Sequence, residues 1–119
     1  MATTHDLTGL RRGNSFRRLF RFKDSDGEAV DLTGSVLVFV VEADATRIRK
    51  STADGSLAMP DPAAGEIILT LTPAETRQLP AGRLKTHYEI ERRIGDEETT
   101  LAAGCITVMD GINDDGGDQ

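Results

Sequence analysis

Apolar and polar residues alternate with a period of two along most of this chain. In Leu84 to Glu91, Leu84, Thr86, Tyr88 and Ile90 fall on one face and Lys85, His87, Glu89 and Glu91 on the other, as in a half-buried strand. An earlier strand carries Phe16, Phe20 and Phe22 on one side and Arg17, Arg21 and Lys23 on the reverse, and Ile67, Leu69 and Leu71 point inward from another. Thr99 to Met109, rich in Thr, Ile and Val, is the last strand, with Cys105 expected inward as a small buried hydrophobe. Val36 to Val41 differs, because Val36, Val38 and Val40 face one way and Leu37, Phe39 and Val41 the other, so both faces are apolar. One must meet the core; the other needs the crossover segment, a folded-over loop or another subunit.

Turn chemistry separates these runs at Asp24-Ser25-Asp26-Gly27, Asp54-Gly55, Ala64-Gly65 and Gly95-Asp96, the last closing a hairpin between the final two strands. One helical signal interrupts the pattern. Thr72 stands as N-cap, Pro73 at the first helical position and Glu75 three residues after the cap, and Leu79-Pro80-Ala81-Gly82 ends the segment. A cap contributes about 1 kcal/mol, too little to hold two turns helical alone, so Leu79 must also pin the helix to the core. Strands at this spacing, without repeated strand–helix–strand units, predict an all-β, immunoglobulin-like antiparallel β-sandwich with one short crossover helix over about residues 73–79. A small barrel is the structural alternative. The chain divides into an N-terminal arm (1–7), the sandwich (8–109) and an acidic flexible tail (110–119).

The 119 residues suit a single domain. With four Phe, one Tyr and no Trp, the core must be built mainly from Val, Ile and Leu. A single cysteine excludes an internal disulfide and a cysteine-built metal site. The first residues contain no apolar signal-peptide run, and the longest apolar run falls far short of the roughly 20 residues a membrane helix needs, so neither secretion nor membrane insertion is expected. Net charge is −6, which works against a general nucleic-acid binder. It is unevenly placed: Arg11, Arg12, Arg17, Arg18, Arg21 and Lys23 come with no acid between them, while Asp110, Asp114, Asp115 and Asp118 crowd the end.

Candidate chemistry is sparse. Asp24-Ser25-Asp26-Gly27 resembles the start of a calcium loop, but the fifth and twelfth positions are Glu28 and Ser35 and no helices flank it, which leaves a hairpin turn. His5 lies in the expected arm and His87 on an outward strand face, with no ligand or nucleophile beside either in the sequence. No phosphate-binding glycine loop, nucleophile elbow or zinc-protease motif occurs, so no catalytic residue, metal or cofactor is expected. Basic residues interleaved with Phe suggest a single-strand nucleic-acid surface, but stacking needs rings and charges on one exposed face, and alternation separates them. The cationic strand therefore reads as a solvated face or a dock for an acidic protein surface. Burying the three outward residues of Val36 to Val41 would yield on the order of 5 to 9 kcal/mol against an association cost of about 4 to 15, so a symmetric assembly would need several such contacts.

Arg12-Gly13-Asn14-Ser15-Phe16, then Phe20, Asp24 to Gly27 and Val30-Asp31-Leu32-Thr33-Gly34, resemble the opening of small phage and prophage virion proteins. Leu69 to Thr76, Leu79 to Gly82 and Tyr88-Glu89-Ile90 are similar to the later half of the same group. The resemblance covers roughly residues 8 to 109 and includes the immunoglobulin-like N-terminal module of the upper baseplate protein family of long-tailed phages. It departs at Arg83 to Tyr88, more polar here, and in the acidic tail. It implies a sandwich and a non-enzymatic virion protein, an adaptor or building block of tail, baseplate or neck, with other virion proteins as partners in a symmetric homo-oligomer and no transferred catalytic residue. The expected contact residues are Arg11, Arg12, Arg17, Arg21 and Lys23, with Asp114, Asp115 and Asp118 in the tail. A capsid decoration or head-fibre protein is the alternative; a glycan-binding module would need exposed aromatics that this composition hardly supplies.

Overall fold

A computed structural model describes residues 3–44 and 46–110, the side chains of Thr3, Thr4, Arg83 and Leu84 apart. The elements follow in the order β1 (Thr3–Thr4), β2 (Leu7–Arg11), β3 (Phe16–Arg21), β4 (Val36–Ala43), β5 (Thr46–Ser51), β6 (Ala58–Asp61), β7 (Glu66–Leu71), α1 (Pro73–Arg77), β8 (Gly82–Ile94) and β9 (Glu97–Met109), with a 3-10 turn at Pro62–Ala64. They form two sheets. The larger runs β1-β9-β8-β4-β5, with β2 also on β9; the smaller runs β3-β7-β6. The chain alternates between layers, and this order is that of an immunoglobulin-like sandwich.

Alternation decides what fills the space between the layers. Leu37, Phe39 and Val41 of β4, Tyr88 and Ile90 of β8, and Ile106 and Val108 of β9 are buried against Phe16 and Phe20 of β3 and Ile67, Leu69 and Leu71 of β7. Tyr88 joins the layers, its ring centroid 5.9 Å from that of Phe39 in its own sheet and 6.4 Å from that of Phe20 in the other. All three phenylalanines of the cationic strand turn inward: Phe16 is 5% and Phe20 8% exposed, and Phe22 is half-buried, stacked on Phe20 at 6.2 Å.

The helix forms as its capping grammar requires. The Thr72 side chain accepts from the Glu75 amide at 3.2 Å, and Glu75 Oε1 accepts from the Thr72 amide at 2.9 Å. Leu79, fully buried, anchors the exit. Gly27, Gly55, Gly65 and Gly95 have positive φ at the four expected reversals, and Ile94 pairs with Glu97 across the last one.

Three expectations need correction. Residues 3–7 are not a loose arm: β1 and β2 pair with β9, and the His5 amide donates to the Ala103 carbonyl at 2.9 Å. Both strands run parallel to β9, so the larger sheet is mixed rather than wholly antiparallel. The polar residues Thr3 to His5 are held through backbone hydrogen bonds, which leave no hydrophobic pattern to read. Leu7 and Leu10 are both fully buried although three residues apart, which requires the register shift between them; Gly9, at φ +88°, accommodates it.

Cys105 is likewise not an inward core residue. β9 carries an extra residue, Leu101, opposite the Ile90–Glu91 step, and Leu101 and Ala102 both pack on the core. This bulge resets the alternation, so Cys105 shares the outward face with His87, its cross-strand partner. Residues 111–119, which include Asp114, Asp115 and Asp118, lie outside the described residues.

Candidate docking interface

The five cations expected to form one surface are divided between elements. Arg11 ends β2 in the larger sheet, and Arg12 begins the turn that leads to β3. Arg12 Nη2 donates to the Arg77 carbonyl at 2.9 Å, and its Nη1 lies 3.4 Å from Asp110 Oδ1; Arg11 Nη1 donates to the Asp110 carbonyl at 3.3 Å. The turn is held further by Thr76, whose Oγ1 accepts from the Gly13 amide and donates to the Asn14 carbonyl, both at 3.0 Å. Arg11 and Arg12 thus latch the β2–β3 turn to α1 and to the residue that begins the acidic tail.

Arg17 and Arg21 stand on the outer face of the smaller sheet with Leu19 between them. Strand pairing sets Arg17 opposite Thr70, Leu19 opposite Ile68 and Arg21 opposite Glu66. Leu19 is 41% exposed, beside half-buried Ile68, so this face carries a small apolar centre between two guanidinium groups. Glu66 neutralises one of them, its Oε2 accepting from Arg21 Nε at 2.9 Å, while Arg17 makes no ion pair or hydrogen bond among the described residues. Arg18 points the other way, over the Phe16 ring at 5.3 Å from its centroid, and donates to the Thr8 carbonyl at 2.7 Å. Lys23 is exposed where the chain enters the Asp24–Gly27 turn. In that turn Asp24 Oδ1 accepts from the amides of Asp26 and Glu28 at 2.9 and 3.0 Å, so the carboxylate is engaged by its own backbone.

The outer face of the larger sheet brings together groups that lie far apart in sequence. A shallow depression of about 560 Å³ lies over β5, β4, β8 and β9. Register brings Arg47, Glu42, His87 and Cys105 into one row and Arg49, Val40, Glu89 and Ala103 into the next. Cys105 Sγ sits 3.4 Å from His87 Nδ1, and the Cys105 amide donates to Asp6 Oδ1 at 3.0 Å. Arg47 pairs with Glu42 at 3.5 Å and Arg93 with Glu91 at 2.6 Å, which draws the Arg93 pKa up. Val36 and Val40 are half-buried and Val38 is 3% exposed, so the second apolar face of β4 is covered mainly by neighbouring side chains on the same sheet. The outward faces of β4 and β8 were legible in each strand, but only their pairing with β5 and β9 sets Arg47, Arg49 and Cys105 beside them.

Among the described residues no group of three or more metal-ligating side chains converges, and no helix is long and apolar enough to cross a membrane. No protein-family model and no curated protein matches this chain.

Proposed function

We propose that this domain is a non-enzymatic structural protein of a phage particle, an adaptor or building block of the tail, baseplate or neck that works by docking other virion proteins. Supporting this are the resemblance over residues 8 to 109 and the β-sandwich fold, whose capped helix lies within the stretch that carries the resemblance. The observation that carries the docking function is Leu19, 41% exposed and framed by Arg17 and Arg21 on the smaller sheet. A small apolar centre with a cationic frame suits an acidic protein surface, and its binding would weaken with added salt.

Replacing Arg17 and Arg21 together by Glu tests this directly. Surface ion pairs contribute little to stability, so the variant should keep the wild-type circular dichroism and melt only a few degrees lower, the shift coming from the like charge set opposite Glu66. Its incorporation into particles should fall on the order of tenfold. Undiminished incorporation of the folded variant would remove this face from the interface.

A further inference from the structure

On the outer face of the larger sheet, opposite charges flank β4 at one level of the strands. β5 contributes Arg47 and Arg49, β4 contributes Val36, Val38, Val40 and Glu42, and β8 contributes His87, Glu89, Glu91 and Arg93, so a cation and an anion flank an apolar residue in the Val40 row. Within the Arg49, Val40, Glu89 row, the two charged residues are two strand spacings apart, about 10 Å between backbones. The side chains of Arg49 and Glu89 make no hydrogen bond or ion pair with each other or with any other described residue. Their neighbours Arg47 and Glu91, by contrast, are paired within the chain. One cation and one anion without a bonded partner thus flank an apolar position symmetrically.

We propose that this face receives a second copy of the chain, related to the first by a two-fold axis that runs parallel to β4 over Val38 and Val40. The proposal rests on the domain being a docking module and names one of its partners. Rotation about such an axis exchanges the left and right sides of the sheet and preserves position along the strands. It lays β5 of one copy over β8 of the other, Val40 over Val40, and Arg49 of each copy over Glu89 of its partner. The Arg49–Glu89 pairing then occurs twice in one interface. The other in-plane axis, perpendicular to the strands, would lay β5 on β5 and β8 on β8, setting arginines against arginines and glutamates against glutamates. The apolar strip is narrow, so charge must select the orientation, while half-buried Val36 and Val40 supply the apolar centre.

Sedimentation of the purified protein over a concentration series tests this, with Arg49→Glu and Glu89→Arg as variants. Both sites are on outward-facing strand positions, so each variant should melt as the wild type does. The wild type should dimerise, and each single variant should dimerise about tenfold or more weakly, because each sets like charges opposite one another. An equimolar mixture of the two variants should recover the dimer as a heterodimer, since both contacts then again set a cation of one chain over an anion of the other. A wild type that stays monomeric to about 1 mM, or reversals that leave dimerisation unchanged, would overturn the proposal. If the wild type is monomeric yet still enters particles, the two-fold contact fails alone. A dimer that charge reversal disrupts, but that is absent from particles, supports the contact and contradicts the virion role.

Discussion

The Lys50 ammonium donates to both carboxylate oxygens of Glu75, at 2.8 and 2.7 Å, and so ties the edge strand β5 to the crossover helix. The two side chains are only 12% and 23% exposed. Burial alone would push the Glu75 carboxyl up, but hydrogen bonds from Lys50 and Thr72 outweigh it and hold the group below its usual value. A carboxyl lowered in the folded state stabilises above its unfolded pKa, about 4.3, and that stability is lost as pH falls through the lower folded value. Melting of the wild type should therefore shift downward in acid below about pH 4.5, and Glu75→Gln should flatten that part of the profile. Lys50→Ala should lower stability near neutrality by about 1 to 3 kcal/mol, between the values for exposed and fully buried pairs, with the difference shrinking in acid. Equal stability of Lys50→Ala and wild type at neutral pH would mean the contact is idle.

Gly104 leaves room for the chain that joins β1 to β2 beside β9. A Cβ there would overlap the His5 carbonyl oxygen, approach its carbon to 2.8 Å and Asp6 Oδ1 to 3.0 Å. Gly104→Ala should cost about 1 to 3 kcal/mol and release β1, read as lost hydrogen-exchange protection at the His5 amide while protection in β4 persists. Retained protection at His5 would show that the strand has room to shift.

Tyr88, the sole tyrosine, gives an unobscured titration. Burial, followed by the nearby Asp6 charge, raises its pKa to about 12 against a weaker opposing effect of Arg18; its hydroxyl donates to the His5 carbonyl. A proton held more tightly in the folded state stabilises below the unfolded pKa of about 10, and this contribution is lost as pH rises toward about 12. Phenolate absorbance should appear near pH 12, or together with unfolding if that comes first, and Tyr88→Phe should weaken the alkaline fall in stability. Ionisation near pH 10 in the still-folded protein would contradict the buried placement.

Side-chain alternation made the sandwich legible because each strand has one face in the core, as Phe16 and Phe20 against Arg17 and Arg21 illustrate. The helix was legible because its cap is local: Thr72, Pro73 and Glu75 meet within one turn. What escaped were relations between strands. Nothing near Glu75 in sequence points to Lys50, 25 residues away. Polar Thr3 and Thr4 pair with β9 through the backbone, and the bulge at Leu101 turned Cys105 outward without a pattern to announce it. The cationic run was fully legible as charge but not as a surface, since the turn after Arg12 places Arg11 and Arg17 in different sheets.

The location and copy number of this protein in an intact particle bear most directly on its role. Electron cryomicroscopy should compare particles assembled with and without it. Density of sandwich size should vanish from the tail, baseplate or neck, in copies that follow the local symmetry, with the Arg17, Leu19 and Arg21 face against a neighbouring protein. Loss confined to the capsid surface would indicate shell decoration or a head fibre instead, and no change anywhere in the particle would contradict a virion role.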